Sequence, residues 1–425
     1  MRPTKMVKKK ILFFAHYYYP DTASTGQLLK DLAEGMLYEF DVTVICTVPS
    51  YEGIITNEYT VHKYYYENIN GVKVIRVKVP AFTKVDKVSR IRNLSVYFLR
   101  AIYVTLKIEK QDYIFAISQP PIMGGILGIC GKWLKKAKLI YCIQDFNPEQ
   151  IIAVGYFKNR VLLKIMQELD KFSCRHSNLL ITVGRDLCQT IEQRFEGKKV
   201  PSYTMINNWI DENEIYPLPF ENKVVKKFRK KYKIEDKFVI MYSGNIGLYY
   251  DLDNLIRLIK KFQGIKASNG RTVEFVFVGA GALLGKLKSY AIEQKMSNVT
   301  FIPYQKKENI IYSLNAADVH WCVNAKGIKG VSCPSKFYGI VACQKPVLAV
   351  LEYETEIRMI IEETKCGLVS EPEDYTNITK QIQWFIEHAD SKQLLQMGRN
   401  GYEYLNKHFT RNISVRKYID AIKAL

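Results

Sequence analysis

Cysteine pairs at metal-ligand spacing are missing from this sequence. Its nine cysteines include no C-x-x-C. Most sit in apolar runs, so they read as buried free thiols, not as a zinc site or a disulfide framework. Histidine is scarce, with six in 425 residues. No Ser-His-Asp or Cys-His arrangement stands out, which removes the usual signals of nucleophilic hydrolases. Long apolar runs are missing too. The longest uncharged stretch, 113–131, is interrupted by Ser118, Gln119, Pro120 and Pro121, whereas a membrane-spanning helix needs about 20 predominantly apolar residues. No transmembrane segment is therefore expected. The opening MRPTKMVKKKILFFAHYYYP is basic, then only briefly apolar, and has no small-residue cleavage site. No secretory leader is expected, and ILFFA reads as a first buried strand. Neither internal repeats nor low-complexity segments stand out.

What the chain does have is positive charge. Lys and Arg number 62 against 42 Asp and Glu, a formal net charge of +20. Both halves of the chain are basic. Such a balance favours an anionic partner: nucleic acid, an anionic membrane surface or a phosphorylated substrate. The charge is spread and no nucleic-acid recognition module is visible, so no nucleic-acid partner is expected. With 48% hydrophobic and 24% charged residues, the composition is that of ordinary globular domains.

Short β-branched apolar runs alternate with longer helical patterns, which predicts an α/β fold with parallel sheets and crossover helices. In the first half strands are expected at 11–15, 42–47, 72–79, 113–118, 139–144, 179–183 and 203–206. Helices are expected at 25–38, 89–109, 121–135, 161–177 and 186–195. After NNWIDENEIYPLP the pattern restarts, with strands at 238–243, 274–279, 299–303, 319–323, 346–350 and 367–369. The accompanying helices read at 252–262, 281–294, 307–316, 336–343, 355–363 and 377–389. Two Rossmann-like, doubly wound domains fit the length. They span 1–207 and 224–408, joined by a linker at 208–223 and followed by a C-terminal helix, 409–425, packing back on the N-terminal domain. Two such domains face a central cleft, and ligands bind beyond the carboxyl ends of the strands.

The residues just after the strands are thus the candidates. Gly244 and Gly247 in YSGNIG permit close backbone approach ahead of a helix start that suits phosphate; a plain tight turn explains them as well. Asp251 and Asp253 resemble a metal-binding D-x-D, but at a helix start they read as capping carboxylates. Ser335 can cap a helix, and Lys336 beside it can meet a phosphate or remain a solvated end lysine. Thr25 and Gly26 open a helix toward the cleft. In IYCIQDFNPEQIIAVG, Gln144, Asp145, Asn147 and Glu149 follow a strand directly, as substrate-orienting or basic groups or as a capping cluster. His16 also ends a strand, where a structural role is the commoner one. The segment KVDKVSRIRNLSVYFLRAIYVTLK is basic and aromatic-rich. It reads as a helix lying on an anionic membrane or as a core helix with a solvated basic face.

The stretches YYYPDTASTG, VPSYEG, INGVKVIRV, SQPPIMGGIL, QDFNPEQIIAVG, INNWID, YSGNIG and PSKFYGIVACQKPVL, in this order, resemble the retaining nucleotide-sugar glycosyltransferases of family 4, with the GT-B fold. The nearest group is the bacterial envelope-polysaccharide branch of the fucosaminyltransferases and colanic-acid glycosyltransferases. The resemblance implies a nucleotide-sugar donor, UDP-linked, in the C-terminal domain, with no permanently bound cofactor and no required metal. Gly244, Asn245 and Gly247 would lie by the diphosphate with Ser335 and Lys336. Tyr304 and Gln305 would border the base, and Gly26 would line the cleft from the other domain. Asp145 and Glu149 would face the acceptor as the catalytic pair. The acceptor would be a polyprenyl-diphosphate-linked glycan of O-antigen, capsule or exopolysaccharide synthesis. The donor sugar would be an N-acetylated deoxysugar such as N-acetylfucosamine, and the protein would sit at the anionic cytoplasmic face of the inner membrane.

The chain also departs from the family. Aligned on Lys345-Pro346, Val331 and Gly339 occupy the two positions of a Glu-x7-Glu pair whose second Glu holds the ribose. Asn245 replaces an Arg that grips the diphosphate. Lys336 is the expected substitute for the missing charge and Glu356 for the missing carboxylate. Two alternatives remain open: a non-hydrolysing sugar-nucleotide epimerase, and a catalytically silent assembly protein that keeps the cleft.

Overall fold

The computed structural model describes the chain except residues 1–7, 22, 52, 84, 85, 154 and 156–158. Residues 1–7, the start of the expected N-terminal domain, lie outside the described residues. The first sheet contains β1 (Lys9–Phe14), β2 (Phe40–Thr47), β3 (Tyr64–Ile69), β4 (Val72–Val77), β5 (Tyr113–Ile117), β6 (Lys138–Ile143), β7 (Leu179–Thr182) and β8 (Tyr203–Met205). Their order is β3-β4-β2-β1-β5-β6-β7-β8, and every pairing is parallel except β3 with β4. Helices α1 (Ser24–Met36), α2 (Lys87–Lys107), α3 (Met123–Lys135), α4 (Glu149–Ala153), α5 (Arg160–His176) and α6 (Arg185–Arg194) cover its faces. That double cover is why strands such as YIFAI and KLIYCI are almost wholly apolar. Strand β3 is different. YYYENI is half exposed on the sheet edge, hairpinned to β4 through Asn70 and Gly71, both at positive φ, the geometry that an Asn-Gly turn supplies.

The second sheet contains β9 (Lys237–Ser243), β10 (Thr272–Val278), β11 (Val299–Ile302), β12 (Val319–Val323), β13 (Val347–Val350) and β14 (Gly367–Ser370). Its order is β11-β10-β9-β12-β13-β14, all parallel. Around it lie α7 (Lys223–Lys231), α8 (Leu252–Ile259), α9 (Leu284–Glu293), α10 (Lys307–Asn315), α11 (Lys336–Ala342), α12 (Glu356–Thr364), α13 (Tyr375–Glu387) and α14 (Lys392–His408). The fold is thus the expected α/β pair of doubly wound units. Helix α15 (Arg411–Lys423) inserts Val415, Tyr418, Ile419 and Ile422 into the core beneath the first sheet. It lies so close to α1 that a Cβ on Gly35 would stand 2.8 Å from Val415 Cγ1.

Strand order reverses between β1 and β5 in one sheet and between β9 and β12 in the other. Crevices open beyond the carboxyl ends of strands at such points. The two crevices face each other, and backbone joins the lobes beside them: Asp145 bridges Ser332, and the Phe146 N–H donates to the Val331 carbonyl at 2.8 Å.

Candidate active site

Three cavities follow one another across the cleft. The first, about 220 Å³, lies in the C-terminal lobe against Gly244, Gly279, Tyr304, Gln305 and Gly339. The second, about 150 Å³, lies between the lobes and is walled by Thr25, Gln144, Asn208, Tyr250 and Asn324. The third, about 180 Å³, lies in the N-terminal lobe against His16, Tyr17, Arg90, Asn93 and Pro121. Ser335 and Lys336 wall both the first and the second. Gln119, Asp145 and Gln150 wall both the second and the third. The row begins and ends at the two strand-order reversals.

At the first junction β9 is followed by Gly244, at φ +143, backbone that side chains rarely adopt. A Cβ there would meet Lys336 Cε at 2.6 Å, and one on Gly279 would meet the Gly244 carbonyl at 2.0 Å. These glycines let the ends of β9 and β10 interleave and let the Lys336 stem lie across the turn. The Lys336 ammonium then stands 3.7 Å from the centroid of the Tyr250 ring and 5.3 Å from that of Tyr242. It is a cation held by aromatic faces, available to an anion at the junction of two cavities. Ser335 stands at the N-cap position of α11 without a side-chain cap bond. Asn245 and Gly247 build the turn but do not line the cavity. The Tyr242 hydroxyl donates to the Asn245 carbonyl at 2.5 Å, and the Asn245 amide fills the space above Gly247 and Gly281. Gly339 opens the first cavity, where a Cβ would meet only Leu314 Cδ1 at 3.3 Å. Tyr304, 55% exposed, forms the outer rim, and the Gln305 amide donates to the Pro303 carbonyl at 2.6 Å.

At the second junction, burial raises the Asp145 carboxyl above its usual range, while hydrogen bonds from Ser332 and Gln119 pull it back down. Gln119 Oε1 accepts from the Thr25 hydroxyl at 2.7 Å, which ties α1 to the same point. Gly26 sits one residue behind this wall. A Cβ on it would press on the Tyr17 carbonyl at 3.1 Å, so it sets how closely α1 approaches the end of β1. In the third cavity Asn93 donates to the Pro80 carbonyl at 2.8 Å, which turns its Oδ1 toward His16 Nε2 at 3.3 Å. Burial pushes His16 down to about 4, so it is a neutral imidazole at neutral pH.

Two expected site residues lie elsewhere. Glu149 accepts from Arg194 Nε and from Gln167, each at 2.9 Å, and Arg194 also binds Asp170. Burial alone would raise Glu149, yet the Arg194 guanidinium holds it below the usual carboxylate range. Glu149 opens α4 with its side chain turned away from the cavities, where it braces the loop that carries Asp145. Glu356, the expected substitute for the missing carboxylate, is engaged across the lobes. It accepts from Arg185 N at 3.0 Å, Arg185 Nε at 2.7 Å and Asn207 Nδ2 at 2.8 Å, all from the other side of the cleft. Asp186 answers it by accepting from Glu356 N at 3.2 Å and Gly330 N at 2.8 Å. The first turns of α6 and α12 thereby cap each other across the lobes. Asp251 and Asp253 are engaged by Tyr375 with Asn254 and by Lys286. Among the described residues no group of three His, Cys, Asp or Glu is placed to hold a metal. Sequence reading did not single out Gln119, Asn208, Gly279 or Asn324; Gln119 and Asn324 follow predicted strands directly and Gly279 ends one, the signal that could have marked them.

Residues 224–404 match the family model described as glycosyl transferases group 1. The probable glycosyltransferase WbjE of Pseudomonas aeruginosa is 25% identical over 339 residues, 77% of this chain and 78% of that one. The putative colanic acid biosynthesis glycosyl transferase WcaI of Escherichia coli strain K12 is 20% identical over 83% of this chain and 86% of its own. The crystal structure of Anabaena HepE in complex with UDP-glucose aligns with a TM-score of 0.69 over 98% of this chain and 100% of that one, at 15% identity. That likeness carries the fold. Topology, site and sequence matches together support a glycosyltransferase of the two-lobed GT-B fold.

Proposed function

We propose that the chain transfers a sugar from a UDP-linked donor, with retention of anomeric configuration, to a polyprenyl-diphosphate-linked glycan in envelope polysaccharide synthesis. The observation that carries this is the row of three cavities, with Lys336 at one junction and Asp145 at the other. The nucleotide occupies the first cavity, with its diphosphate at Ser335 and Lys336, and the sugar lies in the second. The acceptor enters through the third. The bond from the anomeric carbon to the diphosphate oxygen breaks, and the acceptor hydroxyl bonds to the same face. Its proton passes to the departing diphosphate. Lys336 stabilises the charge that develops on the leaving group, and Asp145 orients the acceptor hydroxyl. No divalent metal takes part, so turnover persists in EDTA.

WbjE and WcaI support the polysaccharide setting by what they are named for, and HepE supports UDP by what it was crystallised with. An N-acetylated deoxysugar such as N-acetylfucosamine is the donor sugar of this reading, and the anionic cytoplasmic face of the inner membrane is its workplace. The absence of carboxylates at Val331 and Gly339 favours a second reading, a silent assembly protein. Incubating purified protein with UDP-sugars and a synthetic polyprenyl-diphosphate glycan distinguishes them. An α-linked product from an α-linked donor supports the proposal. Donor isomerisation without acceptor would indicate an epimerase, and no donor binding would indicate the silent protein.

A further inference from the structure

Helix α2 is apolar on the wrong side. Its inner face buries Asn93, Tyr97, Ala101, Val104 and Thr105. Its outer face carries Val88, Ile91, Leu99, Tyr103 and Leu106, between 48% and 74% exposed. These recur at helical spacing, so they form one stripe. The neighbouring layer repeats the pattern. Helix α3 packs against both α2 and α5; α5 buries Asp170 yet exposes Val161, Leu162, Ile165 and Leu169. Trp133 of α3, 56% exposed, lies edge-on to Phe172 of α5 at 6.4 Å between centroids.

Cations border this surface. Lys87, Arg90, Arg92, Arg100 and Lys107 lie on α2, which has no carboxylate, and neither has α3. An extended apolar patch framed chiefly by cations, with the exposed Glu168 of α5 paired to Lys171 at 3.4 Å, is uncommon on a freely soluble surface. It complements an anionic bilayer, whose interior takes the apolar side chains and whose headgroups take the cations. The patch also borders the third cavity. Arg90 and Leu94 of α2 and Gln150 of α4 line that cavity, beside the exposed Val88, Ile91 and Ile152.

We propose that the outer face of α2, α3 and α5 seats the protein on an anionic phospholipid bilayer. Its edge at Arg90 admits an amphiphilic acceptor into the third cavity with the apolar part still in the membrane. The acceptor half of this rests on the proposed transfer reaction; the docking half does not, so vesicle binding and UDP binding are measured separately on the full chain. Vesicles of phosphatidylglycerol with phosphatidylethanolamine are expected to co-float the protein and to shift Trp133 emission to the blue. Trp133→Phe removes that shift while flotation persists. Leu99→Glu with Ile165→Glu is expected to weaken flotation about tenfold or more, with UDP affinity and the thermal midpoint unchanged. Three results overturn the proposal: no flotation of the unaltered protein, undiminished flotation of the double variant, or a dimer in solution that the double variant dissociates, which would make the face an interface between copies.

Discussion

Lys336 owes its position to a glycine ninety-two residues earlier in the chain, because only the bare Gly244 turn leaves room for its stem. Lys336→Ala is expected to weaken UDP binding by on the order of tenfold, the scale of one charge-assisted contact to phosphate, while leaving the melting midpoint nearly unchanged. Asp145 works under the opposite constraint. Its folded carboxyl is raised by burial, so its contribution to stability is complete below the unfolded value and is lost as pH rises through the folded one. Asp145→Asn removes that loss. The variant is expected to melt above the parent at neutral pH, with the gap closing in acid, and to lose roughly 100-fold in turnover, as for a misplaced acceptor hydroxyl. A parallel loss of stability and activity would instead make Asp145 a structural residue. His16 has the reverse sign. Held down at about 4 by burial, it contributes stability above the unfolded value near 6.5 that is lost as pH falls toward 4. His320, also at about 4, shares the window. His16→Gln should therefore flatten part of the decline in melting midpoint between pH 6.5 and 4, and an unchanged slope would refute the neutral imidazole. At Gly339 a Cβ would meet only the flexible end of Leu314, at 3.3 Å, so the glycine is not imposed by neighbouring backbone.

At the scale of elements, the contact between the first turns of α6 and α12 joins the lobes through reciprocal caps. Two carboxylates, Asp186 and Glu356, each accept from backbone at the other helix, and Arg185 adds a charge. Arg185 is 38% exposed, so leaving it and the clasp's N–H groups without their carboxylate costs on the order of 2 kcal/mol. Glu356→Ala is expected to lower stability by that order and to enlarge the radius of gyration, with kcat falling more than donor affinity. Unchanged scattering would show that other contacts hold the lobes. This clasp could not be seen in the sequence, since its partners are about 170 residues apart. The strand-end position of Glu356 was readable, but not which lobe its side chain would meet. The same limit applies to Glu149, whose partner Arg194 comes from a different helix. Local signals were more reliable. The parallel strands were visible as uninterrupted apolar runs because both faces of each sheet are covered. Strand β3 was missed although Asn70-Gly71 announces a hairpin, because YYYENI lacks the apolar density of its neighbours. Helices α7 and α14 were missed because their exposed faces are so polar that the buried stripe is thin.

For the whole molecule, two facing sheets and a crossing C-terminal helix enclose a cleft in a chain of net charge +20, the sign that the proposed anionic donor requires. The doubly wound pair was legible from periodicity alone. The cleft residues were legible only by position after the strands, so Gly244, Ser335, Lys336 and Asp145 were found while Gln119 and Asn324 were passed over. The central claim is that the first cavity and its Lys336 junction bind the nucleotide diphosphate of a sugar donor. Calorimetric titration of the intact protein with UDP, beside Lys336→Ala, tests it most directly. One saturable site on the parent, weakened about tenfold by the substitution, is the predicted result. A folded parent that binds no UDP, or a variant that binds it equally well, would contradict the account.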